Sequence, residues 1–251
     1  MTDAAPSADP RGLERVSARA WPAAHTEMLG GWALNASSGH SGRINACWPL
    51  SDPGMSPDRA IARAEAWYAA RGLPPLFKIV ETARAPTDLS RRLAARGYRP
   101  RTETIMMVGQ TCPGSEPSVI LDAEVGAAFA IVFAATANDP EDTRERLETL
   151  DRVPRPRAIA RCEIDGVTAA IGACAVEGEW AGIFAMRTDP NFRRRGLARR
   201  ILNALLNRAY AMNARWAWLQ VEAENAPAIP LYAAAGFREA YRYRYWDRAG
   251  G

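Results

Sequence analysis

The spacing of apolar and polar residues predicts alternating strands and helices in the second half of this chain. After Gly196, apolar residues recur at helical spacing with arginine and asparagine between them, between the strand-like runs WAGIFAMRT and WAWLQVE. Asp165-Gly166 is a typical two-residue hairpin turn. The same pattern predicts a strand in PSVILDA, helices over 124–136, 141–150 and 225–235, and a final alternating strand, YRYRYW.

The first half repeats the later part of this pattern. It predicts a hairpin in GGWALNAS and GRINACWPL, then helix, strand, helix and strand in DRAIARAEAWYAARG, PLFKIV, TDLSRRLAARGY and TETIMMV. Gly97 and Gly236 close the corresponding helices, 139 residues apart (236 − 97). The stretch TCPGSEP between the halves has linker composition. We therefore predict a tandem α/β duplication, with domains over residues 1–112 and 113–251.

Composition excludes several functional classes. No apolar run reaches the ~20 residues of a membrane span, and the N-terminus lacks a signal-peptide core, which predicts a cytoplasmic protein that does not contact membranes. The net charge is +4, but Lys78 is the single lysine among 32 basic residues, and acidic residues lie among the arginines. This pattern indicates a compositional bias rather than a nucleic-acid surface. The four cysteines form no C-x-x-C pair and both histidines lie far from any cysteine cluster, so no metal site is expected.

A candidate anion site lies where the strand WAGIFAMRT leads into the helix after Gly196. The connecting residues are DPNFRRRG, with three consecutive arginines before the glycine. The first turn of a helix has free N–H groups and a partial positive charge, and a glycine lets a phosphate approach the backbone. The alternative is a solvated basic turn.

Two segments favour the phosphate interpretation. MRTDPNFRRRGLARRIL resembles the acyl-CoA motif of the GNAT superfamily of N-acyltransferases, and LQVEAENAPAIPLYAAAGF resembles the second signature of that family. The resemblance covers about residues 117–247 and implies mixed-sheet GNAT-like domains. It also implies transfer of acetyl from acetyl-CoA to a small-molecule or peptide amine, by direct attack in a ternary complex. The cofactor-binding residues that it implies are Met186, Arg187, Thr188, Arg193, Arg194, Arg195, Gly196, Leu197, Ala198 and Asn225.

The resemblance also assigns catalytic roles. Tyr232 matches the family tyrosine that protonates the leaving thiolate, although a buried core tyrosine would fit the same position. Asn225 matches a cofactor-contacting asparagine and is also a candidate helix N-cap. Gln220 stands where some relatives have a catalytic glutamate, so the base is not carried over there. Glu222, on the same strand face, is our candidate base; a solvated surface glutamate or a base acting through water are the alternatives.

The first half lacks these motifs. At the offset of 139, Pro86 and Leu93 stand in place of the asparagine and the tyrosine, and SDPGMSPDRA precedes its helix without an arginine block. We predict a degenerate GNAT-like domain that binds no CoA and shapes the acceptor side. Its tryptophans either form an interface or cleft wall or fill its own core. The rival to an enzyme is a non-catalytic acyl-CoA-binding regulatory module, and the sequence gives no oligomeric state.

Overall fold

The computed structural model describes residues 9–137 and 139–248; the outer ends of the two predicted domains, 1–8 and 249–251, lie outside these ranges. The strands are β1 His25–Leu29, β2 Trp32–Ala36, β3 Cys47–Pro49, β4 Phe77–Val80, β5 Tyr98–Gln110, β6 Val119–Asp122, β7 Arg157–Ile164, β8 Val167–Glu177, β9 Trp180–Thr188, β10 Trp216–Glu222 and β11 Arg238–Arg248. The helices are α1 Pro10–Ala20, α2 Pro57–Ala69, α3 Leu89–Ala95, α4 Ala127–Ala135, α5 Pro140–Arg152, α6 Leu197–Ala211 and α7 Ala228–Ala234. Within the described ranges no helix is long and apolar enough to cross a bilayer.

All eleven strands form one mixed sheet, in the order β1-β2-β3-β4-β11-β5-β10-β9-β8-β7-β6. β3 pairs with β4 and β9 with β10 in parallel, and the other neighbours are antiparallel. This is the mixed α/β sheet that the sequence predicts. Apolar positions alternate between its faces: Cys174 packs toward α6, whereas Ala173 and Ala175 pack toward α4.

The strand order is the same when read outward from the central β5–β11 pair. β10 and β4 come first on either side, each antiparallel to its central neighbour, and then β9 and β3 follow in parallel. β5, the last strand of the first half, pairs with β10 of the second half, and β11 pairs with β4. The predicted boundary at 112/113 falls between β5 and β6 and stays a prediction.

Two elements were absent from the sequence prediction. Helix α1 begins at a cap where the Asp9 carboxylate accepts from the N–H groups of Arg11 and Gly12, with Pro10 at the first helical position. It buries Leu13, Glu14 and Ser17 on one face. Strand β1 is mostly exposed and pairs only with β2. Its weak apolar pattern explains why periodicity did not indicate a strand.

Helix α1 also carries half of a buried ion pair. Glu14 is fully buried, and its carboxylate lies 2.5 Å from Nζ of Lys78 on β4. The Tyr241 hydroxyl donates to the same carboxylate at 2.8 Å, and the ammonium lies 4.1 Å from the Trp48 ring centroid. Burial of a charge is tolerated where it is paired and hydrogen-bonded, as here. The single lysine of the chain is therefore a core residue.

The helix predicted over 225–235 is shorter than expected. Helix α7 starts at Ala228, and Asn225 makes no side-chain cap. Its backbone carbonyl accepts from the N–H groups of Ala228 and Ile229 instead. The N-cap prediction for Asn225 is wrong because the chain turns once more before the helix begins. Pro230 consequently falls in the first turn, where its missing N–H costs no helical hydrogen bond. Gly236, at φ +85°, ends the helix as predicted.

Candidate functional site

The site begins where two parallel neighbours, β9 and β10, separate. Residues Trp180–Ile183 of β9 pair with Trp216–Leu219 of β10, and the pairing of the two strands ends there. Beyond this point β9 continues along β8, and β10 continues along β5. A parallel pair that opens partway leaves a wedge-shaped gap in the sheet with backbone groups along both walls.

A β-bulge in β9 sets the direction of the side chains at this gap. Ala185 has φ +56°, and β9 carries one residue more than β8 opposite Gly172. Met186 thereby packs on the α6 side, and a Cβ on Gly172 would lie 2.7 Å from its sulfur. Arg187 lies on the opposite side, with its guanidinium 5.3 Å from the ring centroid of Phe133 on α4.

A cleft of about 850 Å³ passes through the gap and is lined by both halves of the chain. The second half contributes the ends of β9 and β10, Phe133 of α4, Arg146 of α5 and Tyr232 of α7. The first half contributes residues 39–43 and 73–76 and the middle of β5. This volume is within the usual range of small-molecule sites.

A buried carboxylate fixes the first-half wall to the second half. Glu145 of α5 is 1% exposed and accepts from the backbone N–H groups of Ser38 and Ser41. It also accepts from the Asn45 amide at 2.9 Å. Three donors to one buried carboxylate hold this segment against α5.

Tyr232 projects into the cleft from α7. It is 8% exposed, and its hydroxyl makes no hydrogen bond to any described residue. Burial raises the pKa of the phenol, and the nearby cation of Arg187 opposes that shift. A phenol with a raised pKa stays protonated at neutral pH and can donate its proton.

Glu222, Gln220 and Asn225 all line the same cleft. Glu222 is exposed at the end of β10 and has no hydrogen-bond or ion-pair partner among the described residues. Gln220 is half-buried; its Oε1 accepts from the Tyr243 hydroxyl at 2.8 Å, and its Nε2 has no partner. The structure therefore brings the candidate acid and the candidate base into one cleft.

The arginine-glycine segment lies beyond the end of β9, outside the residues that line this cleft. Asp189 caps a short turn by accepting from the N–H of Asn191, and Arg194 and Gly196 then take φ of +63° and +75°. A left-handed conformation is unusual for arginine and costs about 1–3 kcal/mol. No atom lies within 4 Å of a Cβ built on Gly196, so the space before α6 is open.

The backbone N–H groups at this point are free. Within residues 139–248 and 9–137, no protein acceptor takes the N–H groups of residues 194–198, and the first helical bonds run from Arg199 and Arg200 to the Gly196 carbonyl. Arg193, Arg194 and Arg195 are exposed around them. Free amides, a helix N-terminus and three cations together can bind a phosphate group.

The predicted site residues thus fall into two groups. Those in the cleft are Met186, Arg187, Glu222, Asn225 and Tyr232, and those in the loop before α6 are Arg193 to Ala198, with Thr188 between the two groups. Sequence reasoning missed Phe133 and Arg146 and did not name the first-half residues 39–43 and 73–76, because none of them belongs to a motif. The tryptophans Trp32, Trp48 and Trp67 do not line the cleft. The described ranges contain no cluster of three or more metal-binding side chains.

Comparison with known proteins agrees with this geometry. A family model described as "Probable histone acetyltransferase Rv0428c C-terminal" matches residues 7–246. The uncharacterized N-acetyltransferase YobR of Bacillus subtilis is 25% identical over 245 residues, covering 94% of this chain and 98% of that protein. A GCN5-related N-acetyltransferase from Kribbella flavida superposes with a TM-score of 0.69 at 15% identity, over 95% of this chain and 96% of that one. A tandem GNAT protein from the clavulanic acid biosynthesis pathway superposes with a TM-score of 0.58 at 16% identity, over 93% and 86%.

Proposed function

This chain belongs to the GNAT family of N-acetyltransferases, and from that premise we propose that it transfers acetyl from acetyl-CoA to an amine within one ternary complex. The observation that carries the proposal is the opening of β9 from β10, directly before a helix whose first amides are free. In this arrangement residues 193–198 bind the pyrophosphate, and residues 186–188 run along the pantetheine arm.

The reacting groups meet in the gap between the strands. The acceptor nitrogen attacks the thioester carbonyl, the C–S bond breaks, and the thiolate takes the proton of the Tyr232 hydroxyl. Glu222 takes the proton that the amine loses, directly or through water. Because the thioester and the amine are held together, most of the rate enhancement comes from positioning. Proton transfer by placed groups adds about 10²–10⁴.

We also propose that the chain is a tandem of two GNAT-like units with one acyl-CoA site. The matching strand order on either side of β5 and β11 supports two related units. Only the second unit has the arginine-glycine loop and the tyrosine. The first unit then supplies the far wall of the cleft through residues 39–43 and 73–76.

Binding and turnover test this proposal together. Calorimetry should give one acetyl-CoA site per chain, and a panel of amines analysed by mass spectrometry should give an acetylated product with release of CoA thiol. Gly196→Val should weaken acetyl-CoA binding at least about tenfold, because the β-branched side chain is strained at φ +75° and stands in the phosphate's path.

Gly166→Val is the matched control. Gly166 has φ +77° and an equally open Cβ position, but lies at the tip of the β7–β8 hairpin. Its variant should suffer the same local strain and keep acetyl-CoA affinity. Equal affinity in both variants, or acetyl-CoA binding without transfer to any amine, would contradict the proposal; the second result would favour a regulatory acyl-CoA-binding module.

A further inference from the structure

The cleft carries an excess of positive charge that is separate from the loop before α6. Two carboxylates line it, Glu222 and Asp247, and Asp247 already pairs with an arginine, Arg101, at 2.7 Å. The arginines that line it are Arg43, Arg101, Arg146, Arg187 and Arg248. A cleft lined mainly by one sign of charge concentrates ligands of the opposite sign.

Most of these arginines are neutralised within the chain. Arg146 pairs with Asp142 at 2.6 Å, and Arg248 pairs with Glu65. Arg43 and Arg187 have no carboxylate partner among the described residues. The cleft charges without an ion-pair partner among the described residues are therefore these two cations, one from each half of the molecule, and the Glu222 carboxylate.

Arg187 is the more constrained of the two. It is half-buried against Phe133, and burial, together with the neighbouring cation of Arg146, lowers the pKa of its guanidinium. A cation removed from water without a counter-ion costs folding free energy, and a bound anion would offset that cost. Its planar guanidinium can bind a carboxylate with two parallel hydrogen bonds.

The position of Arg187 indicates that an anion bound by its guanidinium would belong to the acceptor rather than to the cofactor. Its side chain lies on the α4 face of the sheet, whereas Met186 and Tyr232 pack with α6. The arginines of the loop before α6 lie outside the cleft, so the phosphates have their own cations. Arg187 is nevertheless close enough to Glu222 and Tyr232 for both to influence its pKa.

Arg43 extends the same positive wall from the first half. Its guanidinium lies 5.9 Å from the Trp21 ring centroid, and that ring packs edge-on against Phe184 of β9 at 4.8 Å. The Trp21 indole N–H is buried without a partner, and Trp21 lines the cleft. An uncompensated cation and an unused donor thus stand beside the wall that carries Arg187.

We propose that the acceptor is an amine that also carries a carboxylate close to its nitrogen, and that the Arg187 guanidinium binds this carboxylate. The inference rests on the proposed acetyl transfer and names its acceptor class. Arg187, Glu222 and Tyr232 line one cleft, so a carboxylate bound by Arg187 shares that cleft with the reacting nitrogen. An amino acid, a peptide ending in one, or an acidic residue at a peptide N-terminus has this chemistry.

Binding of acetylated products tests the inference without a need for turnover. The probes are N-acetylalanine against N-acetylalaninamide, and N-acetylaspartic acid α-amide against N-acetylasparagine amide, each titrated by calorimetry with and without CoA. The first pair reports a terminal carboxylate and the second a side-chain carboxylate. We expect the acid of at least one pair to bind at least about tenfold tighter than its amide.

The Arg187 variants assign that preference to one side chain. Arg187→Gln should reduce the acid-to-amide ratio to near one, and Arg187→Lys should restore part of it. Arg144→Gln, which removes an exposed arginine of α5 outside the cleft, is the control for net charge and should keep the full ratio.

Two results would overturn the inference. One is equal binding of acid and amide in both pairs by the wild-type protein, and the other is an unchanged preference in folded Arg187→Gln. Failure of the wild-type protein to bind acetyl-CoA would instead contradict the proposed function, and the titrations without CoA would still decide whether Arg187 selects a carboxylate.

Discussion

The loops that lead into α2 and α6 follow corresponding strands, β3 and β9, and they differ in the features that favour anion binding. Both contain an Asp-Pro step, and both contain a glycine in the left-handed region, Gly54 at φ +71° and Gly196 at +75°. Neither glycine has an atom within 4 Å of its Cβ position. The backbone bend is therefore common to both loops and does not by itself make a phosphate site.

The first turns of the two helices differ in charge and in free donors. Helix α6 begins Leu197-Ala198, whereas α2 begins Pro57-Asp58. The proline has no N–H to offer, and the aspartate places a carboxylate where a phosphate would approach. An anion at α2 would meet the Asp58 carboxylate beside one arginine, Arg59, whereas an anion at α6 would meet the three arginines of the preceding loop.

The space before α2 is also partly filled. The β1–β2 turn packs on the loop, with the Gly31 N–H donating to the Asp52 carbonyl at 2.8 Å. A Cβ on Gly30 would lie 2.1 Å from the Pro53 carbonyl oxygen. In the proposed tandem arrangement, a few local differences at the start of α2 are therefore enough to remove the features of a phosphate site while the strand order is retained.

The largest expected effect is the loss of kcat when the Tyr232 hydroxyl is removed from the second half. Tyr232→Phe should lower kcat by about 10²–10⁴ with little change in acetyl-CoA affinity, because it removes only the proton donor. Tyr68→Phe in α2 is the control; that hydroxyl donates to the Asn35 carbonyl in the core and should affect stability rather than kcat. Steady-state and single-turnover rates measure both. Full single-turnover rates in Tyr232→Phe would make that tyrosine structural.

A smaller effect should follow from giving the first turn of α6 the carboxylate that α2 has at Asp58. Ala198→Asp should weaken acetyl-CoA binding at least about tenfold, because it sets a carboxylate beside the proposed phosphate site. Ala198→Asn has nearly the same shape without the charge and should lose much less. Calorimetry at two salt concentrations checks the electrostatic origin, since the difference between the variants should shrink at higher salt. Equal affinities of the two variants would place the phosphates elsewhere.

The elements that the sequence predicted best are those with strong local periodicity. The bounds of β9 and β10 agree with the runs WAGIFAMRT and WAWLQVE, and the hairpin turns at Asp165 and Gly166 as expected. These features depend on residues close in sequence. Helix α1 was missed although its local signals, the Asp9 cap and Pro10, were present. Its buried face includes a charged residue, Glu14, whose partner Lys78 is distant in the chain.

The first-half residues that line the cleft could not be named from the sequence, because they reach it through contacts between residues that are distant in the chain. Pairing of β5 with β10 and β11 brings first-half residues to the second-half site, and strand pairing across 100 residues leaves no periodic signal. The motif residues follow one another along a single β9–α6–β10–α7 unit, so their order in the sequence limits where they can lie, and their roles stay predictions. Arg187 was predicted as a cofactor-binding residue, whereas in the structure its side chain packs against Phe133 and lines the cleft.

A substitution in the first half alone tests whether Asp58 by itself prevents acetyl-CoA binding at α2. Asp58→Ala should leave the stoichiometry at one acetyl-CoA per chain, because the loop before α2 still has no arginine and α2 still begins with Pro57. Asp58 pairs with Arg92 and Arg96 at the surface, so its loss should cost only about 0–1 kcal/mol of unfolding free energy. Calorimetry and denaturant unfolding measure the two quantities. A second site of comparable affinity would mean that the aspartate alone had blocked it.

The smallest effect concerns the alkaline side of the pH profile. Burial raises the pKa of Tyr232 above the ordinary tyrosine value of about 10, and the Arg187 cation only partly opposes this. A general acid acts while it is protonated and is lost as pH rises through its pKa, so a raised pKa moves that loss upward. We expect kcat to fall less than about twofold between about pH 8 and about pH 9.5, with folding checked by circular dichroism at each pH. Arg187→Gln removes the opposing cation and should make the decline of kcat with pH still smaller. A steep decline of kcat that begins below about pH 9 in the wild-type protein, and is absent in Tyr232→Phe, would contradict this prediction. It would mean that the phenol is more acidic than its burial implies.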